Sequence, residues 1–205
     1  MKPGNKEYIR VMGRAGDLGD RVYIDIETVK VPAPEGWPSR TRWMPFMVGI
    51  AKASYGDVMV RVYWADEAGL IPLIQDAIQG AGEVVFSASS REFDRWVLAG
   101  RFTNARRALS PVPGPWPHLD EEAYNWRNVK GGQLAFRMAF TPSRDVPKAW
   151  ADGERELVAL HCAKDVATAL WCDHNAGLSS ETAEALTALL GRTISRGTGT
   201  IAKGD

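Results

Sequence analysis

The sequence has few cysteines, no long apolar run and no excess of charge of either sign. Its two cysteines, Cys162 and Cys172, fall on one predicted helix, where a ten-residue separation places them about 15 Å apart, beyond the reach of a disulfide. This cysteine usage fits a reducing compartment, and we expect a cytoplasmic protein. No run approaches the roughly 18 apolar residues of a membrane span, and residues 1–20 lack an apolar core, so we expect neither a membrane anchor nor an export signal.

The charge balance excludes one class of nucleic-acid protein but not another. Twenty-five basic residues match 25 acidic ones, which excludes a uniformly basic coat protein and leaves room for a local basic groove. Hydrophobic residues make up 45% of the 205-residue chain, as in ordinary globular proteins. We expect one domain over residues 21–191, with an N-terminal extension over 1–20 and a flexible C-terminal tail over 192–205.

Hydrophobic periodicity alternates between strand and helix along the chain. Strands are predicted over 21–27, 46–53, 58–64, 83–86 and, as a short edge strand, 118–120. Helices are predicted over 65–79, 91–99, 154–175 and 180–190, and 121–128 is also interpreted as helical. Segments 28–45 and 101–117 are predicted to be loops because they are rich in proline. The fold class is therefore α/β, with a mixed sheet of about five strands flanked by helices.

Four acidic residues occupy positions that folding can bring close together. Asp25 and Glu27 share one face of the first predicted strand, because they are two residues apart. Asp94 follows the strand over 83–86, and Asp165 shares a helix face with His161, four residues earlier. Clustered carboxylates repel one another and are tolerated when a divalent cation holds them; oxygen ligands favour Mg²⁺ or Mn²⁺. Two such ions about 4 Å apart would activate a water for phosphodiester hydrolysis.

Three ordered motifs carry a family resemblance: YIDIET at 23–28, VFSASSREFD at 85–94 and HCAKDV at 161–166. Together they resemble the motifs of the DEDD (DnaQ-like) 3′–5′ exonuclease superfamily. The segments PFMVG at 45–49 and HLD at 118–120 are similar to its YprB-type RNase H-like branch. The resemblance spans residues 22–171, and the ordered set is more specific than any one motif.

The resemblance implies a ribonuclease H-like fold and a 3′–5′ exonuclease that releases nucleoside 5′-monophosphates from nucleic acid, with a single-stranded 3′ end as the expected partner. It implies two Mg²⁺ or Mn²⁺ ions, held by Asp25, Glu27, Asp94 and Asp165, with Asp25 bridging both. Neither an organic cofactor nor a membrane partner is implied.

Two features depart from the family pattern. One subclass has Tyr with three residues between it and the last Asp, and another has His with four; His161 combines the His of one with the spacing of the other. An imidazole there can orient or deprotonate the attacking water. In the second motif, SASS at 87–90 replaces the usual Asn or His. We assign nucleic-acid contacts to Thr28, Phe93, Arg101 and Arg106, although the two arginines fit a solvated edge equally well.

Simpler interpretations of these residues stay open. Asp25 and Glu27 can form a solvated strand face, Asp94 can be a first-turn acid favoured by the helix dipole, and Asp165 can pair with a neighbouring cation. A zinc site built from Cys162, Cys172, His161 and His174 is disfavoured, because the chain has no closely spaced cysteine pair. The alternative functions are a catalytically weakened RNase H-like binding or interaction module and an RNase H-like endonuclease. The sequence does not choose between DNA and RNA.

Overall fold

A computed structural model describes residues 2–32, 35, 42–78, 81–87, 93–94, 97–98, 126–129, 145–174 and 177–192. The strands are Gly4–Val11 (β1), Arg21–Lys30 (β2), Trp43–Ser54 (β3), Asp57–Trp64 (β4), Glu83–Ser87 (β5) and Trp126–Val129 (β6). The helices bounded within these residues are Glu67–Ile78 (α1), Val146–Ala151 (α2), Arg155–His174 (α3) and Ser180–Leu190 (α4), and Ala15–Asp17 forms a 3₁₀ turn.

The strands form one mixed sheet in the order β1-β4-β3-β2-β5-β6. The pairs β1–β4, β4–β3 and β3–β2 are antiparallel, whereas β2–β5 and β5–β6 are parallel. Strand β2 therefore lies inside the sheet, where the pairing changes from antiparallel to parallel. This architecture confirms an α/β fold with a mixed sheet flanked by helices. Strand β1, which lies in the predicted N-terminal extension, contributes an edge strand to the same sheet.

Strand β2 separates two apolar layers, one on each face of the sheet. Val22, Ile24 and Ile26 belong to the layer that contains the buried residues of α1. Tyr23 belongs to the opposite layer, together with the buried residues of α3 and α4. This alternation is the predicted one, and it follows from the two-residue period of a strand covered on both faces. Residues of β2 with odd numbers from 23 to 27 consequently face α3.

The prediction of a loop over residues 28–45 was wrong at both ends. Strand β2 continues to Lys30, and β3 already begins at Trp43, which pairs with Lys30. Pro45 is accommodated because the register shifts between Glu27 and Thr28, where the hairpin carries an irregularity and proline is tolerated. The hairpin arms are thus longer than the local composition predicts, since pairing with a neighbour offsets a weak strand propensity.

The remaining elements divide between confirmed predictions and corrections. Helices α3 and α4 confirm the helices predicted over 154–175 and 180–190. Residues 126–128 were predicted to be helical, and this was wrong: they pair in parallel with β5 as part of β6. Phe93, Asp94, Val97 and Leu98 have helical backbone, as predicted, whereas the edge strand predicted over 118–120 lies outside the described residues. In the part of the chain that the structure describes, no helix has both the length and the apolar character of a bilayer span.

Candidate metal centre

Strand β2 carries the first two carboxylates of the site. Asp25 and Glu27 are two residues apart, so both side chains project from the face covered by α3. They are only 5% and 8% exposed. Placing two acids in the middle of an interior strand is unfavourable for folding unless something compensates their charge. Their burial therefore distinguishes them from the solvated strand face considered above.

Asp94 joins the site through the main chain of β2. Parallel pairing between β2 and β5 runs as far as Ile24 opposite Phe86, and β5 ends at Ser87. Beyond that point the N–H of Ile26 donates a hydrogen bond to Asp94 Oδ2 at 3.3 Å. The Asp94 carboxylate thus accepts a hydrogen bond from the main chain of β2, beyond the last residue of β2 that pairs with β5. This contact fixes the acid of the second motif beside those of the first.

Helix α3 supplies the last two members of the site. His161 Nε2 lies 3.4 Å from Asp165 Oδ2, one helical turn away, and 3.5 Å from Glu27 Oε1 on β2. The shared helix face predicted from the spacing of His161 and Asp165 is therefore present. The His161 side chain is 6% exposed, whereas that of Asp165 is 24% exposed. Among these residues, Asp165 marks the side on which the cluster opens to solvent.

The approach of α3 to the sheet depends on Gly49 in β3. A Cβ at this position would lie 3.0 Å from the Cys162 carbonyl oxygen, 3.1 Å from Cys162 Sγ and 3.2 Å from Val166 Cγ1. Cys162 is completely buried, and its thiol lies 3.8 Å from the carbonyl oxygen of Asp25, to which it donates. Cys162 therefore packs as a core residue between α3 and β2, next to the carboxylates.

The site accumulates negative charge in a buried setting. Burial, reinforced by repulsion from Asp165 and Asp94, raises the pKa of Asp25 and of Glu27 well above their usual ranges. Burial also raises the pKa of Asp94 to about 7, against the opposing hydrogen bond from Ile26 N–H. The pKa of Asp165 is raised by burial as well, although His161 and Lys164 act against that shift. The cluster therefore favours binding protons or a cation.

The donor atoms fit a divalent cation. One ligand atom each from Glu27, His161 and Asp165 lie within 4.8 Å of one another, and so do those of Asp25, Glu27 and Cys162. Carboxylate oxygens are the ligands of Mg²⁺ and Mn²⁺, and an imidazole is compatible with Mn²⁺. Burial raises the pKa of the Cys162 thiol well above its usual range and so disfavours the thiolate needed for metal ligation. By these distances the side chains that could hold a cation are Asp25, Glu27, Asp165 and His161, and Asp94 is held beside them by its contact with Ile26.

The zinc alternative does not assemble around α3. His161 and His174 are thirteen residues apart on this one helix, which separates them by about 20 Å. His174 Nε2 lies instead 3.2 Å from an Arg21 nitrogen and 3.4 Å from Asp173 Oδ2. Cys162 and Cys172 are free thiols. These four residues consequently do not share one coordination site.

The predicted nucleic-acid contacts have different outcomes. Thr28 follows Glu27 in β2 and is half-buried. Phe93 precedes Asp94 and is also half-buried. Its ring packs edge-on to Trp43, with the ring centroids 5.4 Å apart. Arg101 and Arg106 lie outside the described residues. The sequence analysis did not single out Lys30, which is paired with Trp43 across the hairpin. Lys30 and Trp43 are neighbours only because both hairpin arms extend this far. A prediction of a loop over this segment therefore gives no reason to pair them.

The comparisons with known proteins leave the site to be interpreted from its own chemistry. No protein-family model matches the chain, and neither the curated proteins nor the solved structures give a match.

Proposed function

We propose that this chain is a metal-dependent 3′–5′ exonuclease of the DEDD type, with a ribonuclease H-like fold. It hydrolyses phosphodiester bonds and releases nucleoside 5′-monophosphates. The observation that carries the proposal is the convergence of Asp25, Glu27, Asp94, His161 and Asp165 from three distant segments into one largely buried cluster. A structural role does not explain why four mutually repelling acids are brought together at the expense of folding stability.

The carboxylates would hold two divalent cations, Mg²⁺ or Mn²⁺. Bound at such a site, these cations lower the pKa of a coordinated water and offset the charge of the phosphodiester. Asp25 is close enough to Asp165, Asp94 and Glu27 for the charge of each to raise its pKa. Asp94 is oriented by the Ile26 N–H, which donates to one of its two carboxylate oxygens.

His161 acts at the attacking water. Its Nε2 faces Glu27 and Asp165 at 3.5 and 3.4 Å, and two carboxylates at these distances orient the ring. In the proposed reaction the water transfers a proton to Nε2 as its oxygen attacks phosphorus. The bond between phosphorus and the 3′ oxygen of the preceding nucleotide breaks, and that oxygen takes up a proton from solvent. The nearly complete burial of His161 restricts the ring to this orientation, which is the requirement for a positioned general base.

Release of nucleotides from labelled strands tests the proposal. Single-stranded DNA and RNA labelled at either end are incubated with Mn²⁺ or Mg²⁺ and the wild type, Asp25→Asn or Asp165→Asn. We expect metal-dependent shortening from the 3′ end, reduced at least 100-fold in both variants. The matched control is Asp76→Asn, which replaces an exposed acid on α1, on the other side of the sheet.

Two outcomes would replace the proposal with one of its alternatives. Cleavage of substrates whose 3′ ends are blocked would identify an endonuclease. Binding of nucleic acid without cleavage, under conditions where calorimetry shows Mn²⁺ to be bound, would identify an inactive binding module.

A further inference from the structure

An open recess lies at the end of the hairpin formed by β2 and β3. Lys30, Val31, Pro32 and Arg42 line it, and its volume is about 520 Å³. Val31 N–H donates to the Arg42 carbonyl oxygen at 2.7 Å, which holds the two sides of the recess together. Lys30 is three residues beyond Glu27 on the same strand, a separation of about 10 Å. Lys30 and its partner Trp43 lie on the α1 face of the hairpin, whereas Glu27 lies on the α3 face, so the recess and the carboxylates are on opposite faces of β2.

Aromatic rings connect the recess to the carboxylate cluster. Lys30 Nζ lies 6.0 Å from the centroid of the Trp43 ring, and Trp43 in turn contacts Phe93 edge-on. Phe93 immediately precedes Asp94, whose carboxylate is tied to β2. Trp43 and Phe93 pack partly on the apolar layer of α1. These contacts lead from Lys30 at the recess, through Trp43, to Phe93, the residue that precedes Asp94.

The chemistry of this surface suits single-stranded nucleic acid. Two exposed cations, Lys30 and Arg42, are complementary to phosphates in a chain whose total charge is balanced. Aromatic side chains stack on bases only where the bases are not already stacked in a duplex. A recess of about 520 Å³ is in the size range of small-ligand pockets, which accommodates roughly one nucleotide and not a double helix.

We propose that Lys30, Arg42, Trp43 and Phe93, here called the hairpin-end surface, bind a single-stranded nucleic-acid segment at the end of the β2–β3 hairpin. The choice of nucleic acid as the ligand rests on the proposed function. The assignment of a binding surface is argued separately, from the charges, aromatic rings and shape of these residues. Lys30 and Arg42 contact phosphates, and Trp43 stacks on a base. The hairpin-end surface thereby selects single strands over duplexes.

Binding of a fluorescent 12-nucleotide oligothymidylate and oligouridylate, followed by anisotropy over a range of salt concentrations, tests this proposal. All proteins are full-length and carry Asp25→Asn so that the strand stays intact. We expect Lys30→Ala and Arg42→Ala each to weaken binding about five-fold, and Trp43→Leu about ten-fold. In the double variant of Lys30 and Arg42, the slope of log affinity against log salt should fall by about 1.4, or 0.7 for each lost phosphate contact. Lys30→Arg should restore most of the affinity.

The matched control is Arg10→Ala. Arg10 is a partly exposed cation on the edge strand β1, which is three strands away from β2 in the sheet. We expect it to leave both affinity and salt slope unchanged. A similar loss in Arg10→Ala, an unchanged slope in the double variant, or a duplex that binds as tightly as the single strand would each overturn the proposal.

The two proposals fail in different ways. If the wild type shortens strands from the 3′ end but the hairpin-end variants bind normally, the surface assignment fails alone. If the variants lose affinity as expected but the wild type releases no nucleotide, the exonuclease assignment fails and the binding surface stands.

Discussion

Asp94 accepts a hydrogen bond from the main-chain N–H of Ile26 at 3.3 Å. Its side chain thus bonds to β2 just beyond Ile24, the last residue of β2 that pairs with β5. Asp94 and Ile26 are 68 positions apart in the chain. Through this contact the second acidic segment is positioned by the backbone that carries Asp25 and Glu27. The Asp94 carboxylate is buried, and burial raises its pKa to about 7 against the opposing effect of this hydrogen bond.

The raised pKa of Asp94 predicts a pH-dependent stability difference between wild type and Asp94→Asn in the absence of metal. The unfolded chain has the usual Asp pKa of about 4, so between pH 4 and 7 it loses this proton while the folded state retains it. This contribution to stability is complete below pH 4 and is lost as the pH rises to 7. A shift of about three units corresponds to at most about 4 kcal/mol, or roughly 10 °C in Tm.

Differential scanning calorimetry in EDTA measures this difference. We expect the Tm of Asp94→Asn to rise relative to the wild type as the pH increases from 4 to 7. Carboxyls with lowered pKa values, such as Glu7 and Asp17, affect both proteins equally and cancel in the comparison. A difference that stays constant with pH would show that Asp94 titrates normally. Saturating Mn²⁺ at pH 7 should stabilise the wild type more than the variant.

Gly49→Ala should separate α3 from the sheet. The new methyl group would meet the carbonyl oxygen of Cys162 at 3.0 Å, and a backbone atom cannot rotate away. We expect a loss of about 1–3 kcal/mol in the free energy of unfolding and reduced nucleotide release, because His161 and Asp165 move with the helix. Urea denaturation provides the measurement, and Gly16→Ala, whose new methyl group meets no atom within 4 Å, is the control. Equal stability of the two variants would contradict this account.

Tyr23→Phe should destabilise the fold without changing the chemistry of the site. The Tyr23 hydroxyl donates to Asp173 Oδ2 at 2.7 Å, and both side chains are buried. Removing the donor leaves a buried carboxylate short of one hydrogen bond, which costs about 1–3 kcal/mol. Asp173 is eight residues, or about 12 Å, along α3 from Asp165, so nucleotide release at low temperature should be unchanged. Tyr55→Phe, at a fully exposed position, should leave the urea midpoint as it is in the wild type.

His161→Gln should reduce the rate of nucleotide release by about 10²–10⁴-fold, the usual contribution of a positioned general base. The carboxylates stay in place, so calorimetry should still detect binding of Mn²⁺. His174→Gln, which alters a second histidine on the same helix, should retain activity within about three-fold. If His161→Gln kept its rate, the proton acceptor would have to be another group of the site.

Much of the candidate site is already determined by local periodicity. The two-residue period places Asp25 and Glu27 on one face of a strand, and the helical period places His161 and Asp165 on one face of a helix. Both relationships hold in the structure, because they involve residues within one regular element. The helices over 155–174 and 180–190 were predictable for the same reason.

Relationships between elements depended on tertiary packing. Pairing with neighbouring strands made Trp126–Val129 a strand and lengthened both arms of the hairpin, which brought Lys30 beside Trp43. The absence of a side chain at Gly49 let α3 come close enough for His161 to face Glu27. Periodicity fixes the direction of a side chain within its own element, whereas the distance to another element depends on packing across the whole core. The acids could therefore be named from the sequence, but their burial and mutual contacts could not.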